Sequence, residues 1–135
     1  MRCALQTLSI PASVGKAAPR DRPLIDLKHA AALSRLLKIF ANDTRVRLLH
    51  ALERGREVCV TDLAVAVEMA PQAVSNQLQR LADRGIVSAR RDGTRLYYSI
   101  ADPCVVGILD LGFCLLEETG EPFRRRGTPV AGRRA

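Results

Sequence analysis

No stretch of this 135-residue chain approaches the ~20 consecutive apolar residues that a membrane span requires; an apolar run such as Val105 to Leu116 is broken by Asp110 and by glycine. Met1 to Val14 lacks the clean apolar core of a secretory leader, so the chain reads as cytoplasmic, in a compartment that keeps thiols reduced. The four cysteines, Cys3, Cys59, Cys104 and Cys114, form no CxxC pair and have no histidine beside them in sequence. A closed structural zinc site is therefore not indicated. Groups for catalysis are missing as well: there is no Cys/His pair, acid dyad or glycine-rich phosphate loop, and Cys104 beside Asp102 has no base. Neither an enzyme nor a small organic substrate is expected, and no internal repeat suggests a solenoid.

What is present fits one soluble globular domain, with 47% apolar and 26% charged residues. The net charge of +7 is unevenly placed. Arg2, Lys16, Arg20 and Arg22 stand against Asp21 in the first 23 residues, and five arginines stand against Glu121 at the far end. The segment between them is balanced. Basic ends on a neutral domain favour a nucleic-acid partner, and solubilising tails have the same composition. The expected organisation is a flexible basic arm over 1–23, a folded unit over 24–119 and a disordered arginine-rich tail over 120–135.

Helical periodicity begins at Leu24 and runs through Leu27, Ala31, Leu33, Leu36, Leu37 and Phe40. Asn42-Asp43 offers a cap for a second helix that turns Val46, Leu48, Leu49 and Leu52 inward, with Gly55 suited to its left-handed end. After a short extended piece from Glu57 to Val60, Thr61 is expected to cap a helix burying Leu63, Ala64 and Val67. Met69-Ala70-Pro71 breaks the pattern, and a helix from Pro71 to Arg84 carries Val74, Leu78 and Leu81 on one stripe. The period then becomes that of strands: Ile86 to Arg91 and Leu96 to Ile100 flank the turn signal Asp92-Gly93. Asp102-Pro103 launches a last helix to about Glu118. The fold class is mainly α with a β-hairpin wing, a winged helix-turn-helix.

That arrangement asks for a polar face on the second helix of the pair and cations beside it for phosphates. Gln72, Ser75, Asn76, Gln79 and Arg80 lie opposite the apolar stripe, with Gln77 near its edge. Amides of Gln and Asn suit adenine edges, and Arg suits guanine. Arg80, Arg84, Arg90, Arg91 and Arg95 against Asp83 and Asp92 supply the positive charge. Candidate DNA-binding residues are therefore Gln72, Ser75, Asn76, Gln77, Gln79, Arg80, Arg90, Arg91 and Arg95.

Four segments carry a resemblance. Phe40 to Leu49 (FANDTRVRLL), Glu57 to Ala64 (EVCVTDLA), Val74 to Leu81 (VSNQLQRL) and Gly93 to Tyr98 (GTRLYY) resemble, in order, a helix start, metal-box segment, recognition helix and wing of the ArsR/SmtB family. The resemblance spans roughly Leu33 to Glu118 and implies a dimer that grips a two-fold operator duplex and lets go when an inducer binds. Dimerisation also has an argument of its own. Val105, Val106, Ile108, Leu109, Leu111, Phe113, Leu115 and Leu116 make the last helix apolar almost all round. Such a helix must be covered on both faces, which a homodimer provides through its terminal helices.

The resemblance implies two sensing places. Cys59 and Asp62 match the first thiol and the carboxylate of the metal box, but Thr61 replaces the second thiol of cadmium- and lead-type boxes, leaving Cys3 as the available further ligand. Zinc-type members place Asp-x-His and His-x-x-His on the last helix; here Asp102-Pro103-Cys104 and Cys114-Leu115-Leu116-Glu117 stand instead, one residue short, which puts zinc in doubt. Some members that answer to arsenite or antimonite use cysteines on this helix. His29 and His50 read as core or surface residues rather than ligands.

Ten residues of helix span about 15 Å. Cys104 and Cys114 of one chain are thus too far apart to share an ion held at about 2.3 Å. In antiparallel copies of the helix, Cys104 of one approaches Cys114 of the other. Thiolates prefer soft ions, so As(III) or Sb(III) is expected first and Cd(II) or Pb(II) next. The same pair also suits a redox or persulfide switch if the Cα atoms come within about 7 Å, and simple packing in the interface is a third reading.

Overall fold

The computed structural model describes residues 18–119. The greater part of the expected arm, Cys3 included, and the whole of the expected tail lie outside the described residues. After a 3-10 turn at Pro19–Asp21, five helices and three strands follow: α1 (Leu27–Phe40), α2 (Asp43–Gly55), β1 (Val58–Cys59), α3 (Val60–Val67), α4 (Pro71–Asp83), β2 (Val87–Asp92), β3 (Arg95–Ile100) and α5 (Pro103–Thr119). This is the winged helix-turn-helix order.

Local chemistry sets most boundaries. Asp26 Oδ1 accepts the His29 amide at 2.8 Å, so α1 begins three residues after Leu24, where the apolar periodicity had already started. Asn42 Oδ1 accepts the Arg45 amide at 3.0 Å to start α2, and Asp102 Oδ1 accepts the Cys104 amide at 2.8 Å to start α5. Pro71 occupies the first turn of α4, where its missing N–H is harmless.

Two expected caps differ. The left-handed residue after α2 is Arg56, at φ 70°, not Gly55. The glycine serves packing instead, since a Cβ there would sit 2.5 Å from Val58 Cγ2. The residue at the start of α3 is Cys59 rather than Thr61, and it gives no side-chain bond, because β1 runs straight into the helix.

The sheet order is β1-β3-β2, antiparallel throughout. Val58 faces Tyr98 and Cys59 faces Tyr97, while Val87 faces Ile100 and Asp92 faces Arg95. Asp92 therefore belongs to the strand, and the hairpin loop is Gly93-Thr94 with Gly93 at φ 66°, as a two-residue turn led by glycine requires.

The core is formed by α2, α3, α4 and the sheet, and Leu48, Leu49, Leu52, Leu63, Val74, Leu78 and Leu81 are completely buried. Val105 and Leu109 of α5 join it. By contrast α1 buries no residue, and Leu27 is 89% exposed. Leu115 on α5 is 65% exposed. Between the end of α1, α2 and α5 lies an apolar cavity of about 560 Å³ lined by Phe40, Val46, Ile108, Phe113 and Leu116 among others. No described helix is long and apolar enough to cross a membrane.

Candidate DNA-binding surface and thiol positions

The buried stripe of α4 fixes which side of the helix faces out. Gln72, Asn76, Gln79 and Arg80 are exposed, and Ser75 and Gln77 are half-buried. Gln72 Nε2 donates to Asn76 Oδ1 at 3.1 Å, a pairing one helical turn apart. Gln77 has a different environment from the other amides. Its Oε1 accepts from Arg45 Nε at 2.9 Å, and Arg45 Nη1 also donates to the Ile39 carbonyl at 3.1 Å. A second arginine of α2, Arg47, donates to the Val67 carbonyl at 3.1 Å, in the last turn of α3. The reading pair is thus braced from below by two guanidinium groups that satisfy otherwise orphaned helix-end carbonyls.

The wing cations are not equivalent. Arg90 holds Glu57 through two parallel bonds of 2.8 and 3.0 Å, and its guanidinium lies 5.0 Å from the centre of the Tyr97 ring. The bond from Arg90 keeps the Glu57 carboxyl below the ordinary glutamate range. Arg91 is exposed and makes no such pairing. Arg95 is also exposed, but its guanidinium is held more firmly protonated by a bond with the Tyr97 side chain, then by the nearby Cys59 and Asp62.

The thiols divide in the same way. Cys59 is buried, 3% exposed, with Arg95 Nη1 3.9 Å from its sulfur. A fixed cation beside Cys59 and Asp62 is poor company for a metal ion. Cys104 is exposed, in the first turn of α5, and is not part of a disulfide. Cys114 is half-buried ten residues further on and is disulfide-bonded, though not to Cys104 or Cys59. The two α5 cysteines are therefore not joined within one chain. Among the described residues no group of three His, Cys, Asp or Glu side chains is placed to hold a metal ion. His29 is exposed and paired with Asp26 at 2.8 Å, and His50 packs edge-on against Phe113 at 5.0 Å.

Arg45, Arg47 and Glu57 were not singled out from sequence. Their partners lie 32, 20 and 33 residues away, and no local pattern announces such a contact. Aligning FANDTRVRLL with a family helix start points to the segment but not to what its arginines hold.

Comparison with known proteins agrees with this geometry. The model of the family "Bacterial regulatory protein, arsR family" matches residues 42–89, from the cap of α2 into β2. A crystal structure of the AntR antimony-specific transcriptional repressor superimposes with a TM-score of 0.69 and is 57% identical, covering 79% of this chain and 96% of that one. The chain belongs to the ArsR/SmtB family. A transcriptional repressor SmtB homolog from Synechocystis sp. is 38% identical over 85 residues, which are 63% of this chain and 64% of that protein's length. The homodimeric winged helix-turn-helix DNA-binding domain of Mb0332 from Mycobacterium bovis has a TM-score of 0.61 and 32% identity, covering 78% of this chain and 99% of that one. As an ArsR-family chain, it has relatives that are metal-responsive transcriptional repressors.

Proposed function

We propose that this ArsR-family chain is a homodimeric repressor that leaves its operator duplex when a thiophilic ion binds Cys104 of one subunit and Cys114 of the other. As(III) and Sb(III) are the first candidates, with Cd(II) and Pb(II) behind them. The observation that carries this reading is the placing of two cysteines ten residues apart on a helix whose apolar side chains are exposed: Leu111, Leu115 and Leu116 are 36%, 65% and 38% exposed. A second, antiparallel copy of α5 covers that side and brings Cys104 of one subunit toward Cys114 of the other. Likeness to an antimony-specific repressor supports the choice of a soft metalloid. The guanidinium beside Cys59 argues against the alternative box.

In this mechanism Gln72, Asn76, Gln79 and Arg80 present the reading face, and the wing arginines meet phosphates. Thiolate ligation requires Cys114 to be reduced first, because a disulfide sulfur has no charge to offer an ion. A crosslink between subunits then changes the spacing of two reading heads. A hundredfold loss of DNA affinity needs about 3 kcal/mol of coupling.

Gel shifts under strict reduction, with antimonite, arsenite, cadmium and lead in turn, test the proposal. Wild type and Cys59→Ser are expected to release DNA on antimonite or arsenite, while Cys104→Ser and Cys114→Ser stay bound. Release by either of the last two variants would show that the site is elsewhere. The disulfide-bonded state of Cys114 favours one second reading, a repressor answering an oxidant or persulfide. That protein would ignore all four ions under reduction and release DNA when the thiols are oxidised.

A further inference from the structure

Arginine only donates hydrogen bonds, so the atom of Gln77 that faces Arg45 is its oxygen whichever way the amide is drawn. Among the described residues no fully buried side-chain nitrogen or oxygen lacks a partner, so the Nε2 of this half-buried residue, which has none among those residues, keeps contact with solvent. The contact is therefore directional. One end of the amide is tied to α2, and the other end, carrying two N–H donors, is what Gln77 has left to show a ligand. Arg45 is itself fixed at both ends: its amide is capped by Asn42 and its Nη1 holds the Ile39 carbonyl at the end of α1.

We infer that Arg45 is a positioning residue that makes Gln77 a donor-only reader of one base pair, selecting guanine. The inference rests on the DNA-binding reading and goes beyond it by assigning a base. A free Gln reads adenine with both ends of its amide, the oxygen accepting from N6 and the nitrogen donating to N7. With the oxygen turned toward Arg45, that bidentate pairing is not available. Guanine presents two acceptors, O6 and N7, and no donor at that edge, and so suits an exposed NH₂ group. The general expectation that amides on this helix favour adenine thus does not extend to Gln77. The same linkage ties the register of the reading helix to the last turn of α1, a helix with no buried residue of its own.

The test uses full-length protein and duplexes selected from a random-sequence DNA library. Gln77→Met is expected to relax the guanine preference at one position in each half-site by about tenfold, leaving the others unchanged. Arg45→Met frees the oxygen and shifts that same position toward adenine. The double variant should match Gln77→Met, because Arg45 acts through the amide. Thermal midpoints separate positioning from damage. Gln77→Glu keeps an acceptor for Arg45 but has no donor, so it serves even where Arg45→Met does not fold; it should lose the guanine preference with the midpoint held. Additive effects, an equal loss on all sequences, or guanine preference retained in Gln77→Glu would each overturn the inference. Failure of the wild type to select any sequence would instead sink the DNA-binding reading itself.

Discussion

The reading head and the terminal helices solve the same problem differently. In α2, α3 and α4 the apolar residues expected to face inward do so, seven of them completely buried and Val46 half-buried against the core. In α1 the same kind of periodicity buries nothing, and in α5 only Val105 and Leu109 reach the core. A helical apolar stripe is thus a statement about what must be covered, not about which chain covers it. The head closes on itself, and the outer helices leave apolar side chains exposed.

The largest expected effect tests this division. Leu78→Ala, in the middle of α4, should destabilise the fold by about 2–5 kcal/mol, from lost transfer energy plus the cavity left behind. Leu115→Asp, at a position 65% exposed, should leave the fold of the single chain in place and abolish the proposed dimer. Urea melts and sedimentation velocity read the two outcomes separately. If Leu115→Asp unfolds the chain as fully as Leu78→Ala at low protein concentration, head and outer helices form one cooperative unit and the contrast fails.

A smaller contrast lies within the wing. Arg91 is exposed and uncommitted, whereas Arg90 is already paired with Glu57. Each phosphate neutralised adds about 0.9 to the slope of log affinity against log salt. Arg91→Ala is expected to lower that slope by about one on operator and random duplexes alike. Arg90→Ala should lower it by less, because its cation must first leave a carboxylate. Equal slopes for the two variants would mean that Glu57 gives up Arg90 at no cost on the DNA.

Sequence made the head legible because its signals are local and repeated. Val74, Leu78 and Leu81 set the buried stripe of α4, Pro71 its start, and Asp102-Pro103 the start of α5; all of these are seen. What was not legible depends on pairs distant in the chain. Val58 and Cys59 are too few to show a strand period, so their pairing with Tyr98 and Tyr97 emerges only when the hairpin is in place. Gly55 was read as a cap because glycine tolerates positive φ, yet the need for it comes from Val58 three residues away. Of the candidate site residues, the exposed ones on α4 were legible from helical spacing. The different roles of Gln77, Arg90 and Arg95 were not, since each is set by a partner on another element.

The smallest effect concerns acid. Glu57 lies just before β1 and clamps Arg90 of β2, whereas Asp26 serves α1, capping the His29 amide and meeting the His29 ring. Both carboxyls are held below their ordinary values, Glu57 chiefly by the bond from Arg90 and Asp26 chiefly by the His29 backbone. A carboxyl lowered by folding stabilises the folded state above its unfolded value and loses that contribution as pH falls through the lower, folded value. The contribution of Glu57 is therefore fully present above its ordinary 4.5 and fades below it. Both groups are exposed, so the losses are small and salt-sensitive. Glu57→Gln should flatten the part of the acid stability profile that belongs to the wing, and Asp26→Asn, which keeps a capping oxygen, the part that belongs to α1. Amide exchange measured from pH 6 down to pH 3 distinguishes the two regions: Glu57→Gln should change protection in β2 and β3 and leave α1 alone. A change spread equally over both would mean that these contacts report one global transition, and the division between head and outer helices would lose its support.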